Sequence, residues 1–110
     1  MIQEYELVSD PKNGKLKTFP IIECFDKKTE YLLLEFRVHG VEITQLRRWL
    51  KETFSWGYDE PLIGAAPLNK ELAEKFKKLL NPLSLQPLDF DKYDYHLSFE
   101  HESVETGEIL

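Results

Sequence analysis

The chain has 110 residues, 42% of them hydrophobic and fourteen of them aromatic, with a formal net charge of −6. That composition supports one packed domain without a staple and lies outside the low-hydrophobicity, high-charge range of disordered chains. The acidic balance excludes a nucleic-acid reader built on a basic stripe, while one cysteine, Cys24, with no CxxC or Cys/His spacing, excludes an internal disulfide and a zinc motif.

In chain order, residues 2–8 (IQEYELV) suit a short strand, and DPKNGKLK after it is turn chemistry, with Asp-Pro and Asn-Gly both marking reversals. FPIIECF and YLLLEFRV are β-rich runs separated by the short polar DKKTE, the pattern of an antiparallel hairpin. Gly40 closes it. In VEITQLRRWLKETF the apolar residues Ile43, Leu46, Trp49, Leu50 and Phe54 recur at helical spacing, with Arg47, Arg48 and Lys51 expected on or near the wet side. Residues 55–67 carry two glycines and two prolines and read as a loop. Asn69 is the expected N-cap of a second helix that turns Leu72, Phe76, Leu79 and Leu80 inward and Lys70, Lys75, Lys77 and Lys78 outward, stopped at Asn81-Pro82. The last run alternates: Tyr93, Tyr95, Leu97 and Phe99 on one side, Asp94, His96, Ser98 and Glu100 on the other. It reads as a half-buried strand with an acidic outer face, followed by a tail, 103–110, that frays.

These elements give a single α+β domain, 1–110, with its firm core at about 19–100. The hairpin and C-terminal strand form an antiparallel sheet covered on one side by two helices. The N-terminus has acids where a secretory leader would have basic residues, and no apolar run is long enough to span a bilayer, so the expected location is the cytoplasm.

Charge is unevenly distributed along the chain. Up to Leu88 thirteen acids balance thirteen lysines and arginines; from Asp89 onward seven acids face Lys92 alone, which accounts for the whole excess of six. A localised field of this kind steers a positively charged partner. The expected partner-binding residues are therefore Asp89, Asp91, Asp94, His96, Glu100 and Glu102. A second patch is the loop Trp56, Tyr58, Asp59 and Glu60, where two large aromatics adjoin two acids; the competing reading has Trp56 folding back to cap the helices.

Chemistry finds no comparable support. His96 and His101 fall on opposite faces of an extended strand and read as rim or solvent residues, His39 sits beside Gly40 at a strand end, and Cys24 reads as a small buried hydrophobe without a base partner. Gly57 and Gly64 form no phosphate loop. No cofactor, metal site or catalytic activity is expected.

The succession IIECFDKKTEYLLLEFRVHGVEITQLRRWL, a DEPL loop, a short helix and LDFDKYDYHLSFE resembles a family of small uncharacterised bacterial proteins. Its shared pattern is a hairpin opening with F-D-K-x-T, a V-x-[IL]-x-x-L-R helix and a closing acidic-aromatic strand. The resemblance covers Phe19 to about Glu100 and brings no catalytic residues. In size and charge the chain is also similar to bacterial immunity proteins, the acidic inhibitors of contact-dependent growth inhibition and colicin-type toxins. That likeness implies a protein that binds and neutralises a basic, nuclease-type toxin. The alternative is a small interaction or regulatory module unrelated to toxins, such as a homodimer paired through the closing strand, against which that strand's outward charges weigh.

Overall fold

The computed structural model describes residues 3–77 and 89–110. The elements are β1 (Glu6–Asp10), β2 (Gly14–Asp26), β3 (Leu32–Arg37), α1 (Ile43–Phe54), β4 (Ala66–Leu68), α2 (Lys70–Lys77) and β5 (Tyr93–Ser103). The α+β expectation holds: five strands make one antiparallel sheet in the order β1-β2-β5-β4, with β3 also on β2. The expected side chains of Phe76, Lys75, Lys77 and Lys78, the inward Leu79 and Leu80, and the stop at Asn81-Pro82 lie outside what the structure describes.

The long strand β2 organises the sheet. One edge pairs with β5 along its whole length, from Leu16↔Ser103 to Asp26↔Tyr93. The other edge is shared: β1 occupies it up to Glu6↔Thr18, and β3 takes over at Ile21↔Arg37. Pro20 falls at this changeover. Its carbonyl accepts from Val38 N–H at 2.9 Å, so its imide nitrogen points to the same edge, where no ladder bond is lost for want of an N–H. The strand starts at Gly14 rather than Phe19, because Leu16 and Thr18 continue the inward alternation of Pro20, Ile22 and Cys24.

The inward face meets α1. Ile22, Cys24, Tyr95, Leu97 and Phe99 form one buried cluster with Ile43, Leu46, Trp49 and Leu50, the helical stripe that the spacing predicts, and Leu72 of α2 packs against it. Cys24 is buried there, and burial pushes its thiol above the ordinary range. Asn69 caps α2 as expected, its Oδ1 accepting from Leu72 N–H at 2.8 Å.

Four expectations are corrected. Arg47 is not on the wet side of α1: it is only 8% exposed, because Glu6 of β1 and the 56–60 loop close over it. The 55–67 loop ends in a strand, β4, which the sequence hides because it has three residues and one of them is Pro67. The closing strand β5 does not lie at the edge of the sheet: β2 runs along one side of it and β4 lies on the other at Tyr95–Leu97. The tail does not fray. Ser103 N–H donates to Glu108 O at 2.9 Å, Leu110 N–H to His101 O at 2.9 Å, and Glu102 bridges Ile109, so the last residues fold back onto β5.

Both turns flanking β2 are held by an aspartate. Asp26 Oδ1 accepts from Thr29 N–H at 2.9 Å and Lys28 N–H at 2.7 Å, and Asp10 Oδ1 from Lys12 N–H at 2.7 Å and Asn13 N–H at 3.0 Å. These N–H groups hold both carboxyls below the usual carboxylate range. A carboxyl lowered in the folded state contributes stability that is complete above its unfolded pKa and is lost as pH falls through the folded one. The melting temperature should therefore fall between about pH 5 and pH 2, and Asp26→Ala should make that fall shallower. An unchanged acid slope in the variant would contradict the assignment.

Candidate functional site

The sheet has a second face, which neither helix covers, and the alternation of β5 aims Asp94, His96, Glu100 and Glu102 at it. Across the strands they stand beside Phe25, Glu23, Phe19 and Lys17 of β2. The face is not bare. Phe19 is buried between the Tyr5 ring, 5.3 Å between centroids, and the Arg37 guanidinium, 3.8 Å from its own ring centre. Arg37 then donates to Glu100 Oε2 through Nη2 at 2.6 Å and Nε at 3.2 Å.

The strand draws the acids out instead of gathering them. From Asp94 to Glu102 is about 26 Å at strand rise. Asp94 lies 3.8 Å from Lys27 Nζ, and Glu100 is bound to Arg37, so two of the acids are already opposed by a cation. Asp89 and Asp91 lie in the turn before β5. Asp89 Oδ1 accepts from Asp91 N–H at 3.0 Å and Lys92 N–H at 3.3 Å, and Asp89 N–H donates to the Tyr95 hydroxyl at 3.0 Å. Asp91 is exposed.

One row of the open face differs from the rest. Glu35 of β3 sits directly opposite Glu23 of β2, and Glu23 sits opposite His96 of β5. Among the described residues neither glutamate has an ion-pair partner. Like charges directly opposed on adjacent strands destabilise a sheet. The sequence holds the signal: with Ile22 and Cys24 inward, Glu23 must point outward, and the register of the β2-β3 hairpin sets Glu35 across from it.

The second expected patch lies on the other side of the sheet. Ser55, in the left-handed region at φ 57°, turns the chain back after α1. The Trp56 ring then meets Phe99 edge-on at 5.7 Å, and its Nε1–H donates to Pro61 O at 3.3 Å. Trp56 thus takes the folded-back reading. Tyr58 remains exposed, with Lys51 Nζ 4.6 Å from its ring centre, and Asp59 is exposed beside it. Glu60 Oε1 accepts from Gly57 N–H at 3.2 Å.

Arg47, which the helical spacing assigns to solvent, is what holds this loop. Nε and Nη2 grip both carboxylate oxygens of Glu6 at 2.8 and 2.5 Å, while Nη1 donates to Glu60 O at 2.6 Å and Gly57 O at 3.2 Å. Strand, helix and loop are joined through one guanidinium.

Two clefts flank these surfaces. One, of about 420 Å³, lies between Phe54, Leu68, Leu72, Phe90 and Tyr93, with the Lys27–Asp94 pair in its lining. The other, of about 320 Å³, is lined by Val8, Leu16, Leu62, Ile63 and Leu110 around the buried Thr18 hydroxyl, which hydrogen-bonds His101 Nδ1 at 2.9 Å. His101 is thus a structural partner on the inward face, while His96 stacks against Phe25 at 5.2 Å on the open one. No cluster of three His, Cys, Asp or Glu fit to hold a metal occurs among the described residues, and none of their helices is long and apolar enough to cross a membrane.

A family profile described as a domain of unknown function, DUF7683, matches residues 20–98. The chain belongs to the DUF7683 family. No curated protein and no solved structure matches it. The matched span of this DUF7683 domain includes the Glu35–Glu23–His96 row and Arg47, and leaves Glu6, Glu100 and Glu102 outside.

Proposed function

We propose that this DUF7683 protein is a non-catalytic cytoplasmic inhibitor that binds and occludes a basic protein toxin, in the manner of a bacterial immunity protein. The observation that carries the reading is the row of directly opposed glutamates, Glu35 and Glu23, at the middle of the helix-free face. A lysine or arginine laid between them by a partner relieves a repulsion that the free protein bears. Glu102, without an ion pair among the described residues, extends the acidic character along the same face. Phe25, half-buried beside Asp94, is the aromatic carbon this row adjoins on the same face. The Tyr58 loop, on the opposite side, is a separate contact surface on this account.

The test is purification of the tagged protein from its own source cells at low salt, with bound proteins eluted by a salt step and identified by mass spectrometry. The reading expects one stoichiometric, basic partner with a nuclease-like domain. Recovery of the protein alone would overturn it.

The same row makes a prediction with opposite signs. Replacing both acids, Glu23→Gln and Glu35→Gln, should raise folding stability by about 0.5 kcal/mol by removing the repulsion. It should also slow association with the captured partner and flatten its salt dependence. A variant that is less stable, or that associates at the wild-type rate, would sink the argument.

A further inference from the structure

We infer that the helix-free face selects a basic partner segment carrying a large apolar side chain two residues from its lysine or arginine. The inference rests on the reading of this face as the capture surface and adds the side chain that must accompany the cation. It starts from an irregularity in the β2-β3 hairpin. Cys24 pairs with Leu34 but Phe25 pairs with Leu32, so Leu33 is an extra residue on β3 at a β-bulge. Unbroken alternation would send Leu32 inward with Leu34. The bulge instead sets Leu32 opposite Phe25, on the face of Glu23 and Glu35. Bulges re-aim side chains in this way, often beside functional sites.

Leu32 is 46% exposed there, and Phe25 beside it is half-buried, its ring 5.2 Å from that of His96. The face thus carries two adjoining rows of different chemistry. One is Glu35–Glu23–His96; the other, about 7 Å along β2, is Leu32–Phe25–Asp94. Lys27 is 3.8 Å from Asp94, at the end of the second row away from Leu32. On the other side of the glutamates stands the row Arg37–Ile21–Ser98, where Ile21 is buried and Arg37 is bound to Glu100. A cation seated between Glu23 and Glu35 therefore meets another cation on the Arg37 side and exposed carbon on the Leu32 side. An extended segment presents alternate side chains to one face at the same spacing of about 7 Å, so the residue two along from its cation reaches Leu32 and Phe25. Charge complementarity fixes the first contact, and the apolar neighbour fixes the direction in which the segment lies.

The test is an NMR titration of the full chain at low salt with two blocked peptides, acetyl-Arg-Thr-Phe-amide and acetyl-Arg-Thr-Ser-amide. Both should shift the amide signals of Glu23, Glu35 and His96. The Phe peptide should also shift Phe25 and Leu32 and bind about tenfold more tightly. Leu32→Ser should bring that ratio close to one while leaving the affinity for the Ser peptide unchanged. Leu34→Ser, two residues away but facing the other side, should keep the tenfold preference. Equal binding of the two peptides by the wild type, or equal loss of the preference in Leu32→Ser and Leu34→Ser, would overturn the inference. So would shifts that miss the glutamate row. The outcome is separable from that of the capture experiment: an empty capture beside a tenfold peptide preference would remove the toxin reading and uphold the preference. A captured basic partner beside equal peptide binding would do the reverse.

Discussion

Arg47→Ala should cost about 3 kcal/mol of folding stability, although its residue lies on the polar side of the α1 pattern. The guanidinium closes two bonds to Glu6 and two to the carbonyls of Gly57 and Glu60, in a position where its side chain is 10% exposed and that of Glu6 28%. Truncation leaves a largely buried carboxylate without its cation and two carbonyls without their donor, and that desolvation is what makes one-sided removal costly. The loss should appear as a lower urea midpoint. A second readout separates the clasp from general destabilisation: the 56–60 loop loses its anchor, so Trp56 emission should shift toward that of a solvated indole while the protein is still folded. A cost below about 1 kcal/mol, the range of an exposed ion pair, would mean that Arg47 does not join strand, helix and loop.

Leu97→Ala should be comparably severe, at about 3–4 kcal/mol. Leu97 is 0% exposed, stands between Ile22 and Ala66 in the middle of the sheet, and belongs to the cluster that includes Leu46 and Leu50 of α1. Its position between two strands leaves the cavity little room to collapse, which keeps the cost well above the low end of the Leu→Ala range of about 2–5 kcal/mol. Leu33→Ala, on the exposed edge, is the control and should change monomer stability by no more than about 0.5 kcal/mol. Equal effects from the two would contradict the assignment of the core to the inward face of β5.

What the sequence discloses and what it hides divide along local and non-local lines. The alternation from Tyr93 to Phe99 sorts β5 correctly, and the spacing of Ile43, Leu46, Trp49 and Leu50 finds the α1 stripe, because both patterns are written into neighbouring residues. Arg47 escapes the same reasoning. Its partners Glu6 and Glu60 are 41 and 13 residues away, and a helical wheel cannot know that a strand and a loop will converge on one position. β4 is missed because its sequence, APL, carries no alternation long enough to read. The tail is tied down by backbone bonds to β5 that no side chain announces.

The acidic run teaches a finer lesson. Seven acids close in sequence are not close in space once a strand extends them, and the cations that temper Asp94 and Glu100 come from the β2-β3 hairpin. Glu23 and Glu35 lie outside the run and in a charge-balanced part of the chain, yet pairing of β2 with β3 sets them face to face. Net charge along a sequence therefore points to the face but misses its centre.

The central claim is that the helix-free face captures a basic protein. It is tested most directly by performing the low-salt capture in parallel with three baits: wild type, the Glu23→Gln/Glu35→Gln variant, and Tyr58→Ala on the opposite side. The account predicts that wild type and Tyr58→Ala retain the same basic partner, while the double variant releases it at lower salt. Equal retention by wild type and the double variant, or loss of the partner with Tyr58→Ala alone, would contradict it.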